Sequence, residues 1–155
     1  YLPLVVRKQL GLYCFIEPDV PEQMSGDPMR LQQVISNLLS NAIKFTDTGC
    51  IILHVQCAGD YLQISVRDTG EGIPAKEVLR LFDPFFQVGT GVQRNFQGTG
   101  LGLSVAQRIV EAHGGAISIL NEKETALAVR EFTGSRGTRG LFYRIVLPVK
   151  KGSRE

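Results

Sequence analysis

The chain has 155 residues, and its 43% hydrophobic and 21% charged residues suit one globular domain with a single core. The formal net charge of +2 is too small for an electrostatic nucleic-acid binder, so we expect no nucleic-acid partner. No apolar run reaches the roughly 18 residues that a membrane-spanning helix needs, so we expect no direct insertion into a membrane.

The first half of the chain predicts one long helix among several strands. Asp27 is a favoured N-cap and Pro28 is tolerated at the first helical position, and apolar residues at helical spacing continue to Phe45. The predicted strands are at 12–16, 50–56 and 61–68, with a turn at 58–60 between the last two.

The second half predicts elements that complete an α/β fold. They are a short helix from Pro74 to about 81, a loop over 87–100, a long helix over about 101–113, and strands at 116–120 and 141–149. Within 121–140, residues 123–132 could form a helix, and Arg130, Arg136 and Arg139 predict a solvated basic surface. The order predicts a two-layer α/β (α+β) sandwich, a mixed β-sheet with helices packed on one face.

The domain organisation follows from this pattern. We expect one domain over residues 1–150 and a disordered tail over residues 151–155. Because the chain starts abruptly in apolar sequence, we interpret it as part of a longer protein.

The three cysteines fall at spacings that fit no metal-binding motif. Cys14, Cys50 and Cys57 lie in apolar, strand-like sequence, so we expect buried free thiols, as in a reducing compartment. His54 is expected on the surface of a strand. His113 is expected to be a structural residue at a helix end, where it can favour the helix dipole.

A polar ridge is predicted on the long helix. Asn37, Asn41 and Lys44 lie at i, i+4 and i+7, which places them within an arc of about 60°. Amide oxygens can ligate Mg²⁺, and an ammonium can meet a phosphate. A solvated helix face has the same pattern, so the helix alone leaves both interpretations open.

A carboxylate stands at the end of a predicted strand, in Asp68-Thr69-Gly70-Glu71-Gly72-Ile73. Such a carboxylate can accept a hydrogen bond from an exocyclic amine such as that of adenine. Glycine at 70 and 72 lets the backbone approach a flat ring closely. A plain Asp-x-Gly turn remains the alternative for this segment.

A glycine-rich segment, Gly98-Thr99-Gly100-Leu101-Gly102-Leu103, leads into the second long helix. Free backbone N–H groups and the dipole at a helix start favour phosphate. The spacing matches neither the P-loop nor the dinucleotide-binding fingerprint. Before it stand Phe82, Phe85 and Phe86, which are typical of a core, although they could clamp the base of the loop.

In chain order, these four segments resemble the four sequence boxes of sensor histidine kinases. The polar ridge at 37–45 resembles the N box, the turn at 68–73 the G1 box, the phenylalanine segment at 82–86 the F box, and the glycine-rich segment at 98–103 the G2 box. The resemblance covers residues 5–120 and 141–148, and over 1–103 it is especially close to hybrid sensor kinases of enterobacterial phosphorelays. It implies the Bergerat ATP-binding fold, with ATP and Mg²⁺ as cofactors. It also implies a phosphoacceptor histidine on a separate dimerisation domain, a receiver domain or response regulator downstream, and a cytoplasmic location beneath an inner-membrane sensor.

The resemblance also implies roles for single residues. Asn41 would ligate Mg²⁺ with Asn37 nearby, Lys44 would contact phosphate, and Asp68 would accept from adenine N6. Phe45 would pack on the base. Arg94 is the candidate contact for the γ-phosphate. The other implied nucleotide contacts are Thr69, Gly70, Gly72, Ile73, Phe82, Gly98, Thr99, Gly100, Leu101, Gly102 and Leu103.

The residue type at position 37 distinguishes transfer from hydrolysis. In the hydrolysing relatives that resemble gyrase, Hsp90 and MutL, a Glu one turn before the Mg-binding Asn activates water. Asn37 cannot accept a proton at neutral pH, so phosphoryl transfer is favoured. A conformational ATPase and a nucleotide-free interaction module remain alternatives. Neither His54 nor His113 is expected to be the phosphoacceptor.

Overall fold

The computed structural model describes residues 2–88, 99–120 and 140–149. Its elements are α1 (Leu2–Arg7), β1 (Gly11–Ile16), α2 (Pro28–Phe45), β2 (Cys50–Ala58), β3 (Tyr61–Asp68), α3 (Ala75–Val78), α4 (Gly102–Ala112), β4 (Ala116–Ile119) and β5 (Phe142–Pro148). The predicted strands and long helices are confirmed, whereas α1 was not predicted and α3 is shorter than expected. The helix predicted at 123–132, the three arginines at 130, 136 and 139, and the tail lie outside the described residues.

The strands form one mixed sheet in the order β1-β2-β3-β5-β4. β1 and β2 are parallel and are connected through α2, whereas the other neighbours are antiparallel. α2 packs on α4, and both contact the sheet, so the predicted two-layer arrangement is confirmed. Within the described ranges, no helix is long and apolar enough to cross a bilayer.

The sheet topology collects several chain ends at one edge. The register pairs Gly11 with Cys50, Ile51 with Asp68, and residue 67 with Phe142. The starts of β1, β2 and β5 therefore lie beside the end of β3. Since α2 runs into the start of β2, the C-terminal end of α2 reaches this same edge.

The core lies between the helices and one face of the sheet. Val34 and Leu38 of α2 are at most 1% exposed, as are Val66 of β3 and Val110 of α4. Each such side chain contributes about 1.5–3 kcal/mol relative to an exposed one. This burial fixes α2 with its polar ridge turned away from the core.

The start of α2 is capped as its sequence predicts. The carboxylate of Asp27 accepts a hydrogen bond from the backbone N of Arg30 at 3.1 Å, and Pro28 occupies the first turn. The backbone N of Asp27 donates to Nε2 of His113 at 3.1 Å. Nδ1 of His113 lies 2.8 Å from the carbonyl of Ile109 and must carry the proton.

His113 is therefore structural, as expected, and both ring nitrogens are engaged by the backbone. Its role is to join the end of α4 to the start of α2, a long-range contact that no local sequence pattern indicates.

The expected exposure of Cys14 and His54 is wrong in both cases. Cys14 is exposed because β1 is an edge strand whose residues 12–16 all face solvent; Cys50 and Cys57 are half-buried. His54 is only 8% exposed, and its Nε2 lies 2.9 Å from Oε1 of Glu17. β2 lies between β1 and β3, so His54 is on an inner strand and is enclosed. On an edge strand it would be exposed to solvent.

Candidate functional site

The end of α2 lies against the turn that follows β3. A Cβ on Gly70 would come within 2.5 Å of the carbonyl oxygen of Phe45, so only glycine allows this approach. The N-box helix and the G1 turn are thus in direct backbone contact. This is the first of the juxtapositions that the sequence pattern predicts.

Asn37 joins α2 to the start of α4. Its Nδ2 donates to the carbonyl of Gly102 at 3.1 Å, which fixes the orientation of the amide because that carbonyl can only accept. The oxygen of the same amide points elsewhere and remains available as a ligand. Asn37 and Asn41 are both half-buried on the polar side of α2.

Lys44 and Phe45 form a cation–aromatic pair at the end of α2. The Lys44 ammonium lies 5.1 Å from the ring centroid of Phe45, and the ring is 49% exposed. Burial lowers the pKa of Lys44 from its ordinary value. A nearby phosphate would counter this shift, because it favours the charged ammonium.

Asp68 is buried at the end of β3 with one carboxylate oxygen already engaged. It is 4% exposed, and its Oδ1 accepts from the backbone N of Gly70 at 2.9 Å and of Leu141 at 3.2 Å. No residue in the described ranges donates to Oδ2. The site therefore holds a fixed carboxylate with one oxygen available for an external donor.

The ionisation of Asp68 reflects opposing influences. Burial raises its pKa above the ordinary value, while the hydrogen bonds from Gly70 and Leu141 and the charge of Arg67 act in the opposite direction. Burial is the largest of these influences. An external amine that donates to Oδ2 would favour the ionised carboxylate in the same way as the two backbone N–H groups.

Thr69 is committed to the neighbouring turn. Its Oγ1 accepts from the backbone N of Cys50 at 3.0 Å and lies 3.4 Å from the carbonyl of Thr48, to which it donates. Any contact between Thr69 and a base would therefore fall to its backbone or methyl group. The hydroxyl holds the start of β2 beside the G1 turn.

The F box holds a glycine of the G2 segment in place. The backbone N of Phe85 donates to the carbonyl of Gly100 at 2.9 Å, and a Cβ on Gly100 would lie 2.8 Å from the Phe85 backbone. Gly100 has φ +68°, which favours glycine independently. The Phe85 ring is 73% exposed, so the core interpretation is wrong for this residue and its backbone does the clamping.

The start of α4 offers uncapped N–H groups. Its N-cap, Leu101, makes no side-chain capping bond, and Ser104 Oγ donates to the Leu101 carbonyl at 3.0 Å. The first N–H groups of the helix have no intrahelical partner, so they suit an anion. Arg94 and Gly98 lie outside the described residues.

The remaining predicted contact residues differ in burial and packing. Thr99 is exposed, Gly72 has φ +74° and Ile73 packs on the core cluster. Phe82, Leu101 and Leu103 are half-buried, and Leu103 also packs on the core.

Three contributors to the site were missed by sequence reasoning. Leu141 donates to Asp68, Gly140 lies so close to the Asp68 carbonyl that a Cβ would overlap it, and Lys8 binds the end of α2. The glycine before the last strand was the available signal for the first two. No local pattern marks Lys8.

The donor chemistry fits Mg²⁺ bound together with a nucleotide. Among the described residues, no group of three His, Cys, Asp or Glu side chains could hold a metal by itself. Mg²⁺ keeps waters and takes few protein ligands when substrate phosphates are present. The Asn41 amide, with Asn37 beside it, is compatible with that coordination.

Residues 26–151 match the family of histidine kinase-, DNA gyrase B- and HSP90-like ATPases. The chain belongs to this family. Within it, the chain is a catalytic domain of the sensor histidine kinase type.

Relatives in sequence support this placement. The chain is 78% identical over 122 residues to sensor histidine kinase RcsC of Salmonella typhimurium, and the match covers 79% of the chain and 13% of RcsC. It is 44% identical over 116 residues to histidine-protein kinase BarA of Escherichia coli, covering 72% of the chain and 13% of BarA. The close resemblance expected over residues 1–103 is confirmed, and the aligned stretch is longer.

Solved structures give the same fold. ShkA, solved at full length in complex with AMPPNP, matches with a TM-score of 0.76 and 25% identity over 98% of this chain and 28% of that chain. The catalytic domain of histidine kinase ThkA matches with a TM-score of 0.73 and 27% identity over 96% of this chain and 84% of that chain. The predicted Bergerat-type fold is confirmed.

Proposed function

We propose that the chain binds ATP with Mg²⁺ and presents the γ-phosphate to a phosphoacceptor histidine on a separate dimerisation domain. The relatives named above are sensor histidine kinases, and one neighbour was solved with an ATP analogue. The chain spans 13% of the length of RcsC, so the acceptor domain and any receiver domain belong to other parts of such a protein. A cytoplasmic domain of a membrane-bound sensor is the location we propose.

The observation that carries this proposal is the half-occupied carboxylate of Asp68. Two backbone N–H groups donate to Oδ1 and so fix the orientation of the carboxylate. The other oxygen, Oδ2, then points in one direction, where the ionised group can accept a hydrogen bond. An exocyclic amine on a flat base matches that acceptor. The Phe45 residue, 49% exposed and with its carbonyl beside Gly70, offers an aromatic surface for such a base at the same turn.

The phosphate side uses groups with the complementary charge. Lys44 supplies an ammonium, and the start of α4 supplies N–H groups and the positive end of a helix dipole. Asn41 would hold Mg²⁺, with Asn37 bound directly or through water. The ion would neutralise charge on the transferring phosphoryl group. Arg94 is the remaining cation proposed for the γ-phosphate.

Transfer is favoured over hydrolysis by the state of Asn37. Its amide nitrogen is engaged with Gly102, and an amide cannot act as a base toward water. Positioning and charge neutralisation are the main requirements for phosphoryl transfer, and both are available. A conformational ATPase would need a base at this position.

The replacement of Asp68 by Asn tests the base site. In Asp68→Asn the two backbone donors hold the amide oxygen at the Oδ1 position, so the NH₂ group faces the adenine amine, donor against donor. We expect the affinity for Mg·AMPPNP, measured by calorimetry, to fall at least about 100-fold, or about 3 kcal/mol. The matched control is Asp60→Asn, an exposed turn residue.

Three outcomes would contradict the proposal. Unchanged affinity of Asp68→Asn removes the adenine assignment. A wild-type chain that binds no AMPPNP is an interaction module. Steady ATP turnover by the isolated chain supports a conformational ATPase.

Incubation with labelled ATP tests the missing acceptor. His54 is enclosed beside Glu17, and both ring nitrogens of His113 are engaged, so neither is free to attack a phosphate. We expect no stable phosphohistidine on the chain. Stoichiometric label on either residue would show that the acceptor is internal.

A further inference from the structure

Lys8, between α1 and β1, reaches the C-terminal end of α2. Its Nζ donates to the carbonyls of Ile43 at 3.0 Å, Lys44 at 3.0 Å and Thr46 at 2.9 Å, and to Oδ1 of Asp47 at 3.2 Å. The side chain is 20% exposed. One ammonium therefore binds three backbone oxygens that belong to a single helix end.

This helix end needs such a partner. The last carbonyls of a helix have no intrahelical donors, and the dipole makes this end negative. The usual glycine in the left-handed conformation is missing, because the C-cap is Thr46 with φ −110° and ψ 120°. The Lys8 ammonium satisfies both the hydrogen bonds and the charge, and it holds the turn that follows Phe45.

The same turn supports the candidate adenine pocket. The carbonyl of Phe45, within the stretch bound by Lys8, packs directly on Gly70. Gly70 in turn donates its N–H to Oδ1 of Asp68 at 2.9 Å. Three short contacts thus connect the ammonium to the carboxylate, so a shift of the end of α2 would be passed through Phe45 and Gly70 to Asp68.

We propose that Lys8 is a positioning residue for nucleotide binding, which acts by fixing the end of α2 so that Gly70 holds Asp68 in its acceptor orientation. The inference rests on the proposed function, because it assigns Asp68 to adenine. It adds a residue that positions the nucleotide site but lies outside the four sequence boxes, on the segment that precedes β1.

The experiment compares three variants of the whole chain. Lys8→Met keeps the aliphatic stem and removes the donors, Lys8→Arg keeps a cation with several donors, and Arg7→Met removes a neighbouring exposed cation. We expect Lys8→Met to bind both adenosine and Mg·AMPPNP about tenfold more weakly, because the base side is displaced. Lys8→Arg should recover most of the affinity, and Arg7→Met should match the wild type.

A nucleotide-free measurement separates positioning from stability. In Lys8→Met the amide of Gly70 should exchange its hydrogen faster, whereas the amide of Gly115, which donates to Val110 at 3.0 Å, should keep its protection. A lower melting temperature with unchanged affinities, or unchanged exchange at Gly70, would overturn the positioning role.

The two proposals fail differently. If the wild type binds AMPPNP and Lys8→Met binds it equally well, only the role of Lys8 is lost. If the wild type binds neither ligand, the proposed function is lost and the assignment of Lys8 to nucleotide binding is lost with it.

Discussion

The base side and the phosphate side of the candidate site are built differently. On the base side, Asp68 is buried and is held by backbone donors from its own turn and from the residue before β5. On the phosphate side, Lys44 is half-buried, and the Asn37 side chain joins α2 to α4 by donating a hydrogen bond to the carbonyl of Gly102. Under the proposed function, recognition of the base would depend on a group buried in the fold, whereas the phosphate groups would meet side chains at its margin.

Two ligands distinguish these sides. Adenosine can use only the base side, whereas Mg·AMPPNP uses both. A base-side variant should weaken both ligands by the same factor, and a phosphate-side variant should weaken only Mg·AMPPNP.

Gly70→Ala should weaken both ligands strongly, with an upper limit close to the loss expected for Asp68→Asn. The added Cβ would lie 2.5 Å from the Phe45 carbonyl and 3.1 Å from Oδ1 of Asp68, so the turn must move. Such overpacking costs about 1–3 kcal/mol, and we expect both ligands to bind up to about 100-fold more weakly in calorimetry. Gly59→Ala, where the Cβ meets nothing within 4 Å, is the control; equal affinities for the two variants would refute the close packing.

Lys44→Met should separate the two ligands. It removes an ammonium that a phosphate would otherwise meet, and such charge-assisted bonds are worth about 1.5–3 kcal/mol. We expect Mg·AMPPNP to bind at least about tenfold more weakly while adenosine is unaffected. Lys76→Met, at an exposed position of α3, provides the comparison. A parallel loss for adenosine would place Lys44 on the base side.

Asn37→Ala should have a smaller effect of the same kind. It removes the bond to the Gly102 carbonyl, which is worth about 1 kcal/mol, so Mg·AMPPNP should bind about fivefold more weakly. Gln32→Ala, exposed on the same helix, is the control. If Asn37→Ala also lowered the affinity for adenosine, the division of the site into a base side and a phosphate side would be contradicted.

Mild acid should produce the smallest effect, confined to the base side. The raised pKa of Asp68 means that the folded chain holds this proton more tightly than the unfolded chain does. As the pH falls through that pKa, the contribution of Asp68 to stability improves while the acceptor for adenine is neutralised. As the pH is lowered, adenosine binding should begin to weaken at a higher pH than it would with an aspartate of ordinary pKa.

The Asp68→Asn variant provides the check on the acid prediction. It should be at least as stable as the wild type at neutral pH, and the gap in melting temperature should narrow as the pH falls. If the melting temperature of Asp68→Asn instead rose relative to that of the wild type as the pH falls, the surroundings would stabilise the ionised carboxylate rather than destabilise it.

Local sequence patterns predicted the parts of this site that local chemistry determines. The cap at Asp27, the polar ridge of α2 and the glycines around the turn at 70 all depend on neighbours within a few residues. Sheet order and pairing depend on contacts between distant segments, and these escaped prediction. The predictions of a buried Cys14 and of a surface position for His54 were wrong for this reason, because no local pattern shows which strand lies at an edge.

The missed members of the site illustrate the same limit. Lys8 lies 35 positions before the first carbonyl that it binds, and Leu141 lies 73 positions after Asp68. A lone lysine or a leucine after glycine carries no local signature. Only the fold shows that these residues converge on one turn.

The distance along the chain between Asp68 and Leu141 has a consequence for folding. The acceptor gains its second backbone donor only after the last strand has paired with β3, so a chain that is still assembling has an incompletely oriented carboxylate. Nucleotide added during refolding should therefore bind molecules in which β5 has paired with β3, and it should not bind earlier intermediates. Nucleotide affinity then reports whether assembly has finished.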